Sequence, residues 1–135
     1  MIGTPEFDAF VSEHRWAVVT TLRKDGSASS SMNAYARDGD DLVISTQAHR
    51  LKTRTLENDP RITVCVISNK EPFNFVSVEG RAEVQRENIT EATKAVFRSL
   101  AAIGYPEPPN LEQWMKEQGR VILRVRPERV SGVIR

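Results

Sequence analysis

The sequence predicts an α+β fold made mainly of antiparallel β-strands that close into a barrel, with helices at its periphery. Short apolar and β-branched segments recur along the chain, separated by turn residues such as Asp25-Gly26 and Asp38-Gly39. Turns this short join antiparallel neighbours. Apolar residues at helical spacing occur only outside these segments. The 135 residues contain no repeat, low-complexity tract or linker, so we expect a single domain over residues 1–135.

The first half of the chain is predicted to hold a helix, a three-stranded meander and a second helix. Thr4 is a typical N-cap, and Pro5 is a typical first helical residue. An apolar stripe follows them and ends near His14. Pro60 ends the second helix. The predicted strands are 16–22, 28–37 and 42–46, and the second helix is 49–58.

The second half is predicted to hold three more strands and two helices, which gives six strands in all. Gly80 interrupts one strand and indicates a bulge or a barrel corner. Asn110 and Gln113 have the spacing of a capping box. The predicted strands are 61–68, 73–86 and 121–126, the last one extending past Pro127, and the helices run from Asn88 or Thr90 to Gly104 and from Asn110 to Gly119.

The composition argues against several classes of function. The chain has 19 basic and 18 acidic residues, so no overall field would draw it to nucleic acid or to an anionic membrane. No apolar run approaches the roughly 18 residues that span a bilayer, and the N-terminus lacks a secretory signal. The single cysteine, Cys65, lies in an apolar strand and is expected to be a buried hydrophobic residue. We therefore expect a cytoplasmic protein.

The strand at 28–37 has an unusual row of polar residues. Serine and asparagine have a low preference for strand interiors, so this face either meets a ligand or is solvated. The opposite face has small residues that would pack inside a tight barrel. The polar face carries Ser29, Ser31, Asn33 and Tyr35, and the small-residue face carries Ala28, Ser30, Met32 and Ala34.

The start of the second helix concentrates positive charge where a helix disfavours it. Arg50, Lys52 and Arg54 fall in its first turns, although the helix dipole favours anions there and the leading N–H groups lack partners. A bound anion would explain both features, with Ser45 and Thr46 at the preceding strand end as further donors. The alternative is a solvated basic face. We expect an anion site, with His49 beside it or facing solvent.

Other candidate sites are weaker. His14 and His49 lack partners at metal-ligand spacing, so no metal site is expected. No nucleophile–base grouping and no glycine-rich phosphate loop is present, which leaves catalytic residues unassigned. The aromatic residues would by default belong to the core. Phe73 and Phe75, however, alternate on one strand face and would also suit a stacking wall for a planar ring.

The order of these motifs resembles the pyridoxamine 5′-phosphate oxidase-like split-barrel family. The most specific segment is K-T-R-x-L-x-x-D-P-R at 52–61, and the resemblance covers nearly the whole chain. The supporting segments are 20–26, 45–46, 78–84 and 120–127. Within the family the chain is most similar to short actinobacterial proteins described as probable enzymes dependent on the deazaflavin coenzyme F420.

The resemblance implies a homodimeric split barrel with a flavin or deazaflavin in each of two clefts at the subunit interface. It implies that Ser29, Ser31 and Asn33 line the ring and that Phe73 and Phe75 come from the partner chain. The residues that it places at the cofactor phosphate and ribityl chain are Ser45, Thr46, Arg50, Lys52 and Thr53, with Arg54 close by.

The expected function is hydride transfer between bound F420 and a small organic substrate. The alternatives are an FMN-dependent oxidoreductase or flavin reductase of the same fold, and a non-catalytic flavin-binding module. A third alternative is a barrel that binds single-stranded nucleic acid, which would need a basic groove with exposed aromatic side chains. The near-neutral net charge and the low aromatic content argue against it. The substrate proton would come from solvent or from a hydroxyl such as Tyr35. The sequence ends at Arg135 without the tryptophan- and arginine-bearing C-terminal segment of true pyridoxamine phosphate oxidases, so vitamin B6 oxidation is not expected.

Overall fold

A computed structural model describes residues 1–135 and shows seven strands and four helices. All seven strands form one antiparallel sheet that curls into a split barrel, in the order β2-β1-β5-β6-β7-β4-β3. The predicted α+β, mainly β fold class is therefore confirmed. The elements are α1 Pro5–Glu13, β1 Trp16–Leu22, β2 Ala28–Ala34, β3 Ala36–Asp38, β4 Asp41–Gln47, α2 Leu51–Asn58, β5 Arg61–Ile67, β6 Phe75–Gln85, α3 Thr90–Ala101, α4 Leu111–Gln118 and β7 Arg120–Val133.

The extra strand arises because the predicted strand 28–37 bends at Tyr35. Before the bend, β2 pairs with β1, and after it β3 pairs with β4. The chain from 16 to 47 is therefore two hairpins at opposite ends of the sheet, and the prediction of one continuous meander is wrong. Tyr35 lies at the junction, where its N–H donates to the Arg15 carbonyl at 3.0 Å.

The core has two parts, one on each side of β4. Eighteen buried residues fill the barrel, including Ile44 from β4 and Leu123 from β7. Eight others, including Val43 and Ile122, are covered by α3 and α4. Alternate residues of β4 and β7 thus face different clusters, as expected for strands buried on both faces. The predicted caps Thr4 and Asn110 are confirmed, because each side chain accepts the backbone N–H three residues later.

Gly80 marks an irregularity between β6 and β7, as the sequence predicts. The pairing register shifts between Glu79 and Gly80. A Cβ at Gly80 would collide with the Arg126 carbonyl oxygen. Glycine is therefore required here because the backbones of the two strands approach closely.

Part of the outer face of the sheet is covered by no helix. This uncovered face is formed by the outward residues of β1, β2, β5, the first half of β6 and the end of β7. None of them is buried, and Met32, Phe75 and Val133 are 54%, 37% and 40% exposed. The expectation that Ala28, Ser30, Met32 and Ala34 pack inside the barrel is wrong, since this face of β2 points away from the barrel interior. Cys65 is half-buried on the same face rather than in the core.

Candidate functional site

The start of α2 lacks the groups that usually satisfy a helix N-terminus. Arg50 is the N-cap residue, its side chain makes no capping hydrogen bond, and the first turn has no acidic residue. The Arg50 guanidinium instead donates through Nε to Gln47 Oε1 at 3.0 Å. Free N–H groups at a helix start and the positive end of the dipole both favour an anion. The local electrostatics therefore favour an anion at the start of α2.

A third cation, Arg120, joins this site from the far end of the chain. Gln47 of β4 pairs with Arg120 at the start of β7, and the Arg120 guanidinium lies 4.4 Å from the centre of the Trp114 ring. Sequence reasoning missed Arg120, because nothing local indicates which strands of the sheet are neighbours.

Arg50, Lys52 and Arg120 form a cluster of uncompensated positive charge, which we call the basic cluster. None of the three makes an ion pair. The pKa values of Lys52 and Arg120 are lowered by partial burial and, to a smaller extent, by repulsion from Arg50. Placing like charges together in a partly buried site costs free energy unless an anion neutralises them.

Two buried polar atoms, one within the basic cluster and one on the neighbouring strand, have no hydrogen-bond partner. They are Ser45 Oγ and Arg120 Nε. Ser45 pairs with Ile122 in the register in which Gln47 pairs with Arg120, so Ser45, Gln47 and Arg120 project from the same face of neighbouring strands. Buried polar atoms are normally paired in folded proteins. This face of β4 and β7 therefore has unused hydrogen-bonding capacity close to its positive charge.

The remaining residues that were predicted at this site differ in accessibility. Thr46 is 5% exposed and Thr53 is fully buried, and the Thr53 hydroxyl donates to the Gln47 carbonyl at 2.9 Å. The Thr53 hydroxyl is therefore closed to a ligand in the single chain. Arg54 and His49 are both exposed. The accessible part of the predicted site thus consists mainly of basic side chains.

A chain of hydrogen bonds connects α2 to the polar face of β2. Thr55 Oγ1 donates to the Lys52 carbonyl at 3.0 Å, so its only proton is used and Thr21 Oγ1 must be the donor in their 2.8 Å contact. Thr21 pairs with Ser29 across β1 and β2, and directly paired residues project from the same face. The structure therefore brings the polar face of β2 to the side of the sheet that carries α2.

On that polar face, Ser29, Ser31 and Asn33 remain at least partly accessible. The Ser31 hydroxyl donates to Asn33 Oδ1 at 3.2 Å. Tyr35 differs from the other three, because it is 1% exposed and its hydroxyl donates to the Val11 carbonyl. Burial raises the Tyr35 pKa far above its ordinary value. Tyr35 therefore belongs to the core, and the expectation that it could supply a proton to a substrate is wrong.

Phe73 and Phe75 lie far from α2 within one chain. Phe75 pairs with Val133, whereas Gln47 pairs with Arg120, and these are opposite ends of the 14-residue strand β7. Phe73 precedes β6 and is 55% exposed, and its carbonyl accepts from the Arg135 guanidinium at 2.9 Å. Both rings are exposed, so the default expectation that they belong to the core is wrong.

No helix in the structure combines the length and the apolar character needed to cross a bilayer. No group of three or more His, Cys, Asp or Glu side chains has the arrangement needed to hold a metal ion. The Cys65 thiol has its pKa raised by burial, which argues against a reactive thiolate at neutral pH.

One known family matches the chain over nearly its full length. The family model for pyridoxamine 5′-phosphate oxidase matches residues 4–134. No curated protein matches the sequence.

Several solved structures share the fold at low sequence identity. A conserved hypothetical protein from Mycobacterium tuberculosis has a TM-score of 0.76 and 23% identity, over 98% of this chain and 84% of that chain. An F420 reductase has a TM-score of 0.76 and 20% identity, over 95% and 98% of the two chains. An FAD-binding protein from Mesorhizobium loti has a TM-score of 0.73 and 20% identity, over 97% and 94%. Because the family model extends over all eleven elements of the fold, the protein is a member of the pyridoxamine 5′-phosphate oxidase family.

Proposed function

We propose that the protein is an oxidoreductase that binds the deazaflavin coenzyme F420 and uses it to transfer a hydride to a small organic substrate. The observation that supports this proposal most directly is the basic cluster at the start of α2. Its charge is uncompensated, and it adjoins a free helix N-terminus. FMN is the alternative cofactor, because both molecules carry a phosphate on a ribityl chain.

The residues present fit a phosphate group. Guanidinium and ammonium groups form strong charge-assisted hydrogen bonds to phosphate oxygens, and the helix N–H groups of α2 would add further donors. Ser45 Oγ and Arg120 Nε are buried atoms that still lack partners. In this assignment Arg50, Lys52 and Arg120 hold the phosphate end of the cofactor. Arg54 is an exposed cation one turn further along α2 and would attract additional carboxylates on F420.

The polar face of β2 would position the cofactor ring. Ser29, Ser31 and Asn33 offer hydroxyl and amide groups for the polar edge of a flavin or deazaflavin. The cofactor supplies the hydride chemistry, while the protein supplies orientation, charge and a shaped pocket. With Tyr35 withdrawn into the core, no side chain described above is placed to donate a proton, which leaves solvent as the source.

The functional unit in this proposal is a homodimer. The uncovered face exposes Met32, Phe75 and Val133, and exposed apolar surface of this kind is typical of an interface. A second copy of the chain would bury this face. It would also bring its own Phe73 and Phe75, which lie far from α2 within one chain, to the partner's cofactor ring.

The comparisons support the class of ligand. The family model is that of an oxidase, and the structural neighbours include an F420 reductase and an FAD-binding protein. The two neighbours favour a flavin-type cofactor, and the reductase favours F420.

The test is a titration of the purified protein with F420 and, separately, with FMN, monitored by fluorescence quenching. Lys52→Ala should weaken binding of the preferred cofactor by about tenfold or more, because a charged hydrogen bond contributes on the order of 1.5–3 kcal/mol. Lys24→Ala, at the exposed tip of the β1–β2 hairpin, is the matched control and should bind like the native chain. Unchanged affinity in Lys52→Ala would refute the anion site.

Two further outcomes separate the alternatives. Tight binding of FMN without binding of F420 would replace the preferred cofactor. Binding followed by no hydride transfer to a panel of quinones and enones would support a non-catalytic flavin-binding module.

A further inference from the structure

A second concave site lies between α1, β3 and α3, away from the basic cluster. The cavity has a volume of about 510 Å³, and its lining includes His14, Arg15, Arg37, Arg98 and Ser99. None of its lining residues belongs to α2, β4 or the start of β7. We call it the α1–α3 cavity.

The charges around the α1–α3 cavity are unbalanced. Arg37 is neutralised by ion pairs with Asp8 at 2.9 Å and with Asp40 at 3.3 Å. Arg15 and Arg98 make no ion pair, and no Asp or Glu lines the cavity. Two uncompensated guanidinium groups therefore face one concave space, in which a counter-ion would be attracted more strongly than at a flat surface.

Hydrogen bonding at the α1–α3 cavity is also incomplete. Arg15 Nε is buried and has no partner, which is costly for a charged donor. The His14 ring is fixed by stacking on Phe10, with 3.9 Å between ring centres, and by a 2.8 Å contact between Nδ1 and the Phe10 carbonyl. This arrangement leaves His14 Nε2 without a partner within the protein.

The rest of the lining is apolar or small. Ala95 of α3 and Ala102 at its C-cap form one wall, and Val11 of α1, Tyr35 at the bend and Ala36 of β3 form the other. Ligand sites commonly combine an apolar wall with a few convergent polar groups, and their volumes are roughly 300–1,000 Å³. The α1–α3 cavity has that composition and size.

We propose that the α1–α3 cavity binds a small organic anion, in which a carboxylate or phosphate group is attached to a compact apolar body. The anionic group pairs with Arg15 and Arg98, and the body packs against Ala95, Ala102 and the Tyr35 ring. The Arg15 guanidinium then gains the anionic partner that it lacks within the protein. This site is independent of the proposed cofactor site.

The test is an NMR titration of the ¹⁵N-labelled protein without added cofactor, following the arginine Nε–Hε resonances and the backbone amides. The probes are benzoate, phenyl phosphate and inorganic phosphate. Saturable shifts at Arg15, Arg98 and the α3 amides are expected with benzoate or phenyl phosphate, and whichever binds more tightly identifies the anionic group. Absence of saturable shifts with both organic probes would overturn the proposal, as would equal affinity for inorganic and phenyl phosphate.

Two variants locate the binding. Arg98→Gln changes an exposed side chain and should fold normally, and it should weaken binding of the preferred probe by about tenfold, as expected for the loss of one charge-assisted hydrogen bond. Arg15→Gln should weaken binding of the same probe by a similar factor. Lys24→Gln removes the same charge elsewhere and should leave affinity unchanged. If Arg98→Gln binds as tightly as Lys24→Gln, the site is wrong, whatever the result for F420 or FMN.

Discussion

Among single residues, Lys52 carries a charge that its surroundings disfavour. Partial burial lowers its pKa, and Arg50 lowers it further. The backbone of Lys52 is held in place, since its carbonyl accepts from Thr55, which in turn is bonded by Thr21 of β1. The folded structure thus fixes the position of Lys52 and leaves its charge uncompensated, as suits a residue that meets an anion.

The lowered pKa gives a prediction for pH dependence. In the free protein Lys52 should lose its proton below the ordinary lysine value of 10.5, whereas a bound phosphate favours the charged form. Affinity for the phosphate-bearing cofactor should therefore be fully present at neutral pH. It should fall as pH rises through the lowered pKa, before an ordinary lysine would titrate.

Lys52→Arg provides the comparison, because a guanidinium stays charged over this range. Dissociation constants measured by fluorescence from neutral to alkaline pH should diverge between the two proteins, with the arginine variant retaining affinity to higher pH. Parallel curves for the native chain and Lys52→Arg would show that the charge of Lys52 does not control binding.

What the sequence reveals at this scale depends on whether the signal is local. Arg50 and Lys52 were identifiable because a helix start and its charges lie within a few consecutive residues. Arg120 was not identifiable from the sequence, because its position beside Gln47 depends on the pairing of β4 with β7. Tyr35 was misassigned because side-chain alternation was continued through a bend that no glycine or proline marks.

Among the elements, the β6–β7 pair is the longest and the most irregular. Gly80 lies at its register shift, where the two backbones approach closely. Bulges of this kind bend a strand and increase its twist, which helps β6 to curl with the barrel. The sequence predicted this position, since an isolated glycine within a strand pattern is typical of a bulge or of a close backbone approach.

Gly80→Ala should destabilise the protein by about 1–3 kcal/mol or more, because the added methyl group would displace the Arg126 carbonyl. Urea unfolding monitored by circular dichroism measures the change. Gly26→Ala is the control. Its backbone φ is +86°, which costs an alanine about 1–2 kcal/mol, but no atom lies within 4 Å of the new Cβ. Its loss of stability should therefore be smaller than that of Gly80→Ala, where the new Cβ meets a backbone oxygen. A Gly80→Ala protein as stable as Gly26→Ala would contradict the close approach.

In the whole molecule, helices cover only part of the sheet. The kinds of elements were predictable from the sequence, because period-two segments and short turns are local signals. The part of the sheet that stays uncovered was not predictable from the sequence, because it depends on where α1 to α4 pack. Met32 was therefore expected inside the barrel, whereas it lies on the uncovered face.

Met32→Glu tests whether the uncovered face is the dimer interface. The native chain should sediment at twice the chain mass, and the variant should shift toward the monomer because a buried carboxylate is costly at an interface. Tyr105→Glu is the control, since Tyr105 is a 62% exposed aromatic residue in the loop after α3. A monomeric native chain, or a Met32→Glu protein that remains dimeric, would exclude this interface.

The bend at Tyr35 has a mechanical consequence. The first and last strands in the order of the sheet, β2 and β3, are separated by this single residue, which spans no more than two consecutive Cα–Cα steps of about 3.8 Å. Tyr35 is also tied to the segment before β1, because its N–H bonds to Arg15 and its hydroxyl to Val11. At Tyr35 the two ends of the sheet are therefore held together by the covalent chain itself. They cannot slide apart there, so any opening of the barrel must occur at a hydrogen-bonded pair of strands elsewhere.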